Sequence, residues 1–481
     1  MAVSQILQAP RFTTLPVGQE IIFVVSNDDA VAFQTKVKFR AEVHIGTEPP
    51  NLSTGTDVIG TFKTTPNNAG VGIFDLRTII ENYVSADNMA TNNTQYKGVT
   101  TTDTQRHPLH IIDKFSKTNN TVRYLAIQFS VEFLGATDSA GNQDDNIVRQ
   151  AVGTAVNSDG FTLFNGYLKY TDKLVSELAS DDFGFDLFDF KPAVVFPTAN
   201  TRKFLTNAPT QLFANIEDYG TLSFLQTSTT LWDNVNQVDF EYYDSSGSSI
   251  GSDTVLKDFS NGAADNYSAV SKKQLLHLGC YPANLRNWSS TFQTLVSNGT
   301  IQGGYYTIEL QNASNLAATQ KYTINVNCPN ERQFESIRLC WLNQWGVWDY
   351  YTFTLKSIRT INTSGTEYNQ LEGSWSKRRY YVDGYKGGKK AFRRNATEKI
   401  SINTDYITQD NNVLFEELMN SPEVYLLDGF QTDEQYAVLN NYVTPVRITN
   451  KSFTKKTTAN NKLIQYRFEI EKSLTFRTQT V

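Results

Sequence analysis

The sequence predicts a mainly β protein: two to three β-sandwich-like domains with a few short helices and long polar loop insertions. Three observations predict it. Apolar and polar residues alternate at a period of two in stretch after stretch, the pattern of strands with one face in a core. Aromatic residues make up 12% of the chain and charged residues only 19%, a balance that suits pleated sheets better than long solvated helices. The stretches between are rich in Asn, Thr, Ser and Gly, the residues of turns and loops. At 481 residues the chain exceeds the size at which one core usually divides. Shifts in composition divide it into 1–190, 191–330 and 331–481.

In the first region, Pro10 and Pro16 mark an extended lead-in to a buried strand over Glu20–Ser26. Val37, Phe39, Ala41, Val43 and Ile45 alternate with charged and polar residues, as in a half-exposed antiparallel strand. Over Phe74–Val84 the spacing of Leu76, Ile79, Ile80 and Tyr83 predicts a short helix. Residues 85–117 lose apolar periodicity and are expected as a surface loop. Leu125, Ile127, Phe129, Val131 and Phe133 give another strand, and 135–160 a second exposed polar insertion. The acidic and aromatic run at 181–197 marks a boundary, either a docking segment or a linker whose phenylalanines tuck into an adjoining core.

In the middle region, strands are expected at Thr221–Gln226 and at Val238–Tyr243, the latter running into a turn at Asp244–Gly247. Two more are expected around Tyr306, Ile308 and Leu310 and around Tyr322, Ile324 and Val326, at a spacing that fits a sandwich of immunoglobulin-like size. The last region opens on Glu335–Ser357, where Ile337, Leu339 and Trp341 alternate with polar residues and the period returns at Tyr351, Phe353 and Leu355. This reads as a hairpin turning at Asn343–Gly346, with three of the six tryptophans, Trp341, Trp345 and Trp348, around the turn. A helix follows at Asn412–Asn420, with Asn411 or Asn412 as N-cap and Pro422 beyond its end; strands return at Glu423–Leu427 and around Tyr466, Phe468 and Ile470.

Several function classes find no footing. The formal charge of −6 opposes a whole-chain nucleic-acid binder. Cys280, Cys328 and Cys340 are odd in number and lack metal-ligand spacing, so neither a disulfide framework nor a zinc site is expected and folding in a reducing cytoplasm is the natural reading. The N-terminal stretch does not resemble a secretory signal, and no apolar run is long enough to cross a bilayer, so no membrane partner is expected. His107 and His110 flank Pro108 without a carboxylate or thiol to complete a ligand set, so no metal is expected. Gly387, Gly388 and Lys389 look superficially like a phosphate loop but lack its first Gly and its Ser/Thr; no cofactor is expected. Asp181, Asp182, Asp186 and Asp189 invite comparison with paired glycosidase acids, yet an acidic exposed segment explains them as well. No catalytic constellation emerges, and an enzyme is not expected.

The most pointed local feature is basic. Across Ser376–Lys399, Lys377, Arg378, Arg379, Lys386, Lys389, Lys390, Arg393 and Arg394 interleave with Tyr380, Tyr381, Tyr385 and Phe392. Such a mixture suits an acidic protein neighbour, for example the Asp181–Asp189 segment of another copy, where complementary charge sets orientation. Phosphates and stacked bases are the less favoured partner. Gly384, Gly387 and Gly388 imply a pliable loop or hairpin tip that becomes ordered on assembly.

Four stretches carry a resemblance. SIRLCWLNQWGVWDYYTFTLKS, LFEELMNSPEVYLLD and PVRITNKSFTKKTTANNKLIQYRFEIEKS resemble virion structural proteins of tailed bacteriophages, notably those infecting Bacteroidetes-type hosts, and GIFDLRTIIENYVSAD gives a weaker echo. Together they cover about a fifth of the chain and carry over no active-site residue. The resemblance implies a component of the tail, baseplate or neck: a homo-oligomer in a ring or other symmetric assembly, in contact with other virion proteins, made in the host cytoplasm and resident in the virion. The competing reading is a carbohydrate-binding adhesin or tail-associated glycan-processing protein, in which Trp345, Trp348 and Trp375 form an exposed sugar platform. Ring exposure separates the two.

Overall fold

The computed structural model describes residues 5–10, 12–47, 49–50, 52, 57–86, 115–117, 121–135, 147–155, 161–169, 188–195, 200–226, 235–256, 274–328, 334–427, 443–457, 464–474 and 476–477. The described chain is mainly β, built of several sheets with a few short helices.

The first sheets follow the alternation closely. Strand Lys38–Gly46 pairs antiparallel with Val122–Leu134, its odd-numbered residues Phe39, Ala41 and Val43 fully buried. The extended entry ends in strand Thr14–Pro16, which lies parallel to Phe161–Phe164. Three expectations for this region are corrected. Ile147–Ala155 is a strand along Val122–Leu134 rather than part of an exposed insertion, because the long strand offers it a free edge. The helix expected from Phe74 begins only at Arg77, spans Arg77–Ile80 and tightens into a 3-10 turn at Glu81–Tyr83. Phe74 itself belongs to strand Val71–Asp75, opposite Phe23, where its ring packs on Phe129 in the core. Phe115–Lys117, expected as loop, also pairs as a strand, with Gln274–Gly279.

The middle sheets enclose one aromatic core. Gln211–Ala214, Tyr322–Val326, Tyr305–Gln311, Gln237–Tyr243 and Ser249–Leu256 form a five-stranded sheet in that order. Thr221–Gln226, Gln274–Gly279 and Phe115–Lys117 form a second sheet. Leu222 and Phe224 from one meet Phe240, Tyr242, Tyr306 and Ile308 from the other. Two helices, Pro282–Trp288 and Ser290–Ser297, add Leu285, Phe292 and Leu295 to this core. Their signals are Pro282 in the first turn and Ser289, whose side chain accepts the Phe292 N–H at 2.8 Å.

The tryptophan hairpin joins these layers. Ile337–Leu342 pairs with Trp348–Phe353 from Ile337 opposite Phe353 to Leu342 opposite Trp348. Both faces of the first strand are buried, so each face serves a different core. Trp341 lies in the C-terminal core with Ile400, Phe415 and Phe468. Trp348 lies in the middle core. Trp345, in the turn, fills a third cluster with Phe164, Leu205, Leu225 and Leu275, its ring 4.2 Å from that of Phe190.

Polar side chains fix this turn. Asn343 Oδ1 accepts the Trp345 N–H at 2.9 Å, while Asn343 Nδ2 donates to Leu205 O and to Asp349 Oδ2 at 2.9 and 3.0 Å. Gln344 O accepts the Tyr167 N–H at 2.7 Å, tying the turn to the N-terminal sheet. Gly346 sits at φ +73°, where a Cβ would also overlap the Asn165 carbonyl oxygen. On the hairpin's other side, buried Arg338 donates from Nε to Tyr219 O at 2.9 Å and from Nη1 to Thr352 Oγ1 at 2.7 Å, 3.3 Å from Asp218 Oδ2. Its guanidinium lies against the Tyr281 and Tyr350 rings.

Two buried carboxyls face this junction. Asp349 accepts from Thr206 Oγ1 at 2.7 Å, and Glu417, on helix Asn412–Asn420, accepts from Asn207 Nδ2 at 2.7 Å. Burial raises Asp349 to about 6. Burial, then the charge of Asp349, raises Glu417 from 4.5 to about 8, against the opposing pull of Asn207 and Lys169.

Two outcomes follow from this junction. Gly346→Ala combines a left-handed backbone with overlap and is expected to cost about 2–5 kcal/mol in denaturant unfolding. The folded chain keeps the Glu417 proton after the unfolded chain has released it, so this stabilisation is complete below pH 4.5 and drains away as pH rises towards 8. Glu417→Gln, shaped like the protonated acid, is therefore expected to match the parent's melting temperature near pH 5 and to exceed it at pH 8.5, the gap being a few kcal/mol. Parallel pH dependences in the two proteins would contradict this account.

Candidate interaction surface

All eight basic residues singled out in the sequence lie on one feature, an antiparallel ribbon that leaves the C-terminal sheet. Its strands are Ile358–Gln370 and Gly388–Asn403, and a smaller hairpin, Gly373–Trp375 with Tyr380–Val382, forms its tip. Ile400 and Ile402 are buried and pair with Ile470 and Phe468 of strand Arg467–Lys472. Phe476–Arg477 pairs as far out as Asn395. Beyond that rung no third strand is present among the described residues. Gly365–Gln370 thus carries the tip about 20 Å further at about 3.3 Å per residue.

The expected pliable loop is therefore a ribbon already formed in the single chain. Thr363 pairs with Ala396 and Gln370 with Gly388, with one irregularity between Thr366 and Glu367 opposite Phe392. Gly387 and Gly388 hold φ values of +95° and +76°, the positive angles needed where the tip hairpin returns to the long strand. Local contacts brace the tip: Trp375 lies 5.1 Å from Tyr380, and Lys386 Nζ 2.9 Å from Asp383 Oδ2.

Strand Ile358–Gln370 was not legible in the sequence, because both its faces are wet and no alternation marks it. Ribbon and tip expose large apolar side chains. Of the 21 large hydrophobic residues exposed among those described, nine lie between 358 and 403, so the apolar surface is concentrated there. Tyr385 and Leu371 are the most exposed of them. The cations are arranged for contact as well. At the end of the tip, Ser376 N–H bonds to Arg379 O, and this turn presents Lys377 and Arg378 to solvent. Neither these two nor Lys389 and Arg393 forms an ion pair with a described residue. Arg379 Nη1 bonds to Tyr381 Oη at 3.2 Å, Lys390 Nζ to Tyr385 O at 3.4 Å, and Arg394 is exposed beside them. Residues 371–394 hold eight Lys/Arg and two Asp/Glu, a formal +6 in a chain totalling −6, so all the remainder amounts to −12.

The other candidates are not brought to this surface. Asp181, Asp182 and Asp186 lie outside the described residues, as do His107 and His110. Asp189 is exposed in a 3-10 turn, Phe188–Phe190, where its carbonyl accepts the Lys203 N–H at 2.6 Å. The tryptophan platform does not form. Trp345 and Trp348 are only 3% and 1% exposed because each plugs a core, whereas Trp375 is 57% exposed on the ribbon tip. His277 is fully buried, bonded through Nδ1 to Ser223 Oγ, and burial lowers it to about 4, so it stays neutral. Among the described residues no group of three or more His, Cys, Asp or Glu is placed to hold a metal ion, and no helix is long and apolar enough to cross a membrane.

The sequence matches no protein-family model and no curated protein. The geometry of the ribbon itself is what bears on function. A two-stranded ribbon is marginal alone in water, and this one rests on the sheet at its base. Its cations make little contact with the chain, so replacing Lys377, Arg378, Lys389 and Arg393 together by Gln is expected to shift unfolding by less than about 0.5 kcal/mol per site. A cooperative loss of several kcal/mol would show that they hold the fold instead.

Proposed function

We propose that this chain is a structural subunit of a tailed-phage virion, acting in the tail, baseplate or neck by binding further copies of itself and other virion proteins. The observation that carries the proposal is the ribbon 358–403: aromatic, cationic and exposed beyond its inner rungs, on a chain otherwise net acidic. Surface of that kind is covered in an assembly, where charge sets register and rings supply area. The phage-like stretches support the same reading. Their described parts, residues 336–357, 414–427, 445–457 and 464–473, lie along the sheet and helix from which the ribbon springs. Burial of Trp345 and Trp348 removes the platform on which a glycan-binding alternative would rest. No catalytic step is part of the proposal, and the virion, with assembly in the host cytoplasm, is its proposed location.

Replacing residues 371–387 by an Asn-Gly turn tests it, since such a turn can close the two long strands. The full chain is expected to self-associate with rising concentration in sedimentation velocity, and the shortened chain to remain monomeric with an unchanged melting temperature. Equal association with and without the tip, or a full chain that stays monomeric throughout, would overturn the proposal.

A further inference from the structure

A cleft of about 620 Å³ opens where the N-terminal sheet, the tryptophan turn and helix Asn412–Asn420 meet. Its walls bear two carboxylates, Glu81 and Glu416, and the buried acid Glu417, against one cation, Lys169. Polar amides of Asn165, Gln344 and Asn420 fill in between, and Tyr167, 59% exposed, stands at the rim. Glu416 is held by two partly exposed lysines, Lys169 at 3.1 Å and Lys455 at 2.7 Å. Glu417 differs. Its residue is buried, Oε1 takes the Asn207 amide, the Gln344 backbone N–H bears on the carboxyl, and Oε2 makes no hydrogen bond of good geometry. A buried carboxyl oxygen left without a donor is costly; an N–H of a lysine or arginine arriving from the cleft would satisfy it, and that side chain's charge would favour release of the Glu417 proton.

We infer that this cleft is the seat of a lysine or arginine side chain presented by the ribbon tip of a second copy of this chain. The inference rests on the assembly role proposed above and identifies what the ribbon binds. Three features point to that occupant. The turn Ser376–Arg379 presents Lys377 and Arg378 side by side at the end of a slender hairpin, a shape suited to entering a cleft. Both side chains are exposed in the single chain, so they do not occupy its own cleft. The ribbon tip holds +6 and the remainder of the chain −12, so a neighbour attracts the tip before any contact forms. The main rival receptor is the outer face of the five-stranded sheet, bearing Asp239, Glu241 and Glu309. It already contains Lys321, 3.0 Å from Glu241, and has no buried carboxylate oxygen without a partner. Because the prong and its seat occupy different faces of one chain, the contact is heterologous, and repeating it closes a ring or extends a filament.

Isotopically light and heavy full-length chains, mixed and treated with a carbodiimide that joins lysines directly to carboxylates, test the inference. Heavy-to-light links from Lys377 to Glu81 or Glu416 are expected. In sedimentation, Glu416→Gln/Glu417→Gln and, separately, Lys377→Gln/Arg378→Gln are each expected to weaken self-association by about thirtyfold or more. Combining the two pairs should add little to either alone. The tip pair lies on an exposed turn, so its effect cannot be ascribed to misfolding. Tip links to Asp239, Glu241 or Glu309, or cleft variants that associate like the parent while the tip-deleted chain does not, would overturn this inference and leave the assembly role standing. Association that survives tip deletion would overturn both.

Discussion

The structure depends on keeping one tight turn in place. Residues 343–348 must reverse the chain while sending rings into separate cores, and the sole amide side chain of Asn343 holds both the turn and its neighbours. Trp341, Trp345 and Trp348 then act as three anchors on one rigid hairpin, each in a different hydrophobic cluster. The burial of these indoles is large enough to matter for every layer they enter. Gly346 and the Tyr167–Gln344 bond bring the N-terminal sheet against the same turn. Arg338 does the equivalent on the opposite side, where two ring faces and three oxygen acceptors compensate its burial.

The ribbon follows the opposite logic. Its inner rungs are core, with Ile400 and Ile402 buried beneath Phe468 and Ile470, while its outer rungs bury almost nothing. Strand pairing holds it in shape, and a local ring contact and ion pair brace its end. An element of this kind adds little to the stability of a single chain. Its exposed residues include Trp, Tyr and Arg, the types that dominate binding energy when they are desolvated in an interface.

Much of the fold was legible because many strands have one dry and one wet face. Lys38–Gly46, Tyr305–Gln311, Tyr322–Val326 and Arg467–Lys472 all show the alternation, and helix Asn412–Asn420 lies where its apolar spacing and Pro422 place it. Asn411 stands at that helix's N-cap without a capping side-chain bond, its amide donating to Thr408 Oγ1 at 3.3 Å, and Asn412 joins Lys456 and Tyr466. Where both faces are wet, as in Ile358–Gln370, alternation vanishes and so does the signal. Phe74 fits a helical stripe by spacing, yet a strand partner and a ring in the core claimed it first. The basic patch could be read locally because its cations are close in sequence. The cleft could not: Gly18, Glu81, Asn165, Gln344 and Glu417 are brought together only by packing between sheets and helix. The tryptophans show the same limit, since three rings close in sequence point into separate interiors rather than forming one row.

One continuous backbone, Gly388–Asn403, runs from the exposed ribbon into the buried sheet. Its bonds to Arg467–Lys472 lie across the strand direction, so a pull on the far end loads those rungs together, in shear, instead of peeling them one by one. A joint made through this strand would therefore pass tension and torque straight into the body of the molecule, giving a mechanically stiff lever without any added hinge.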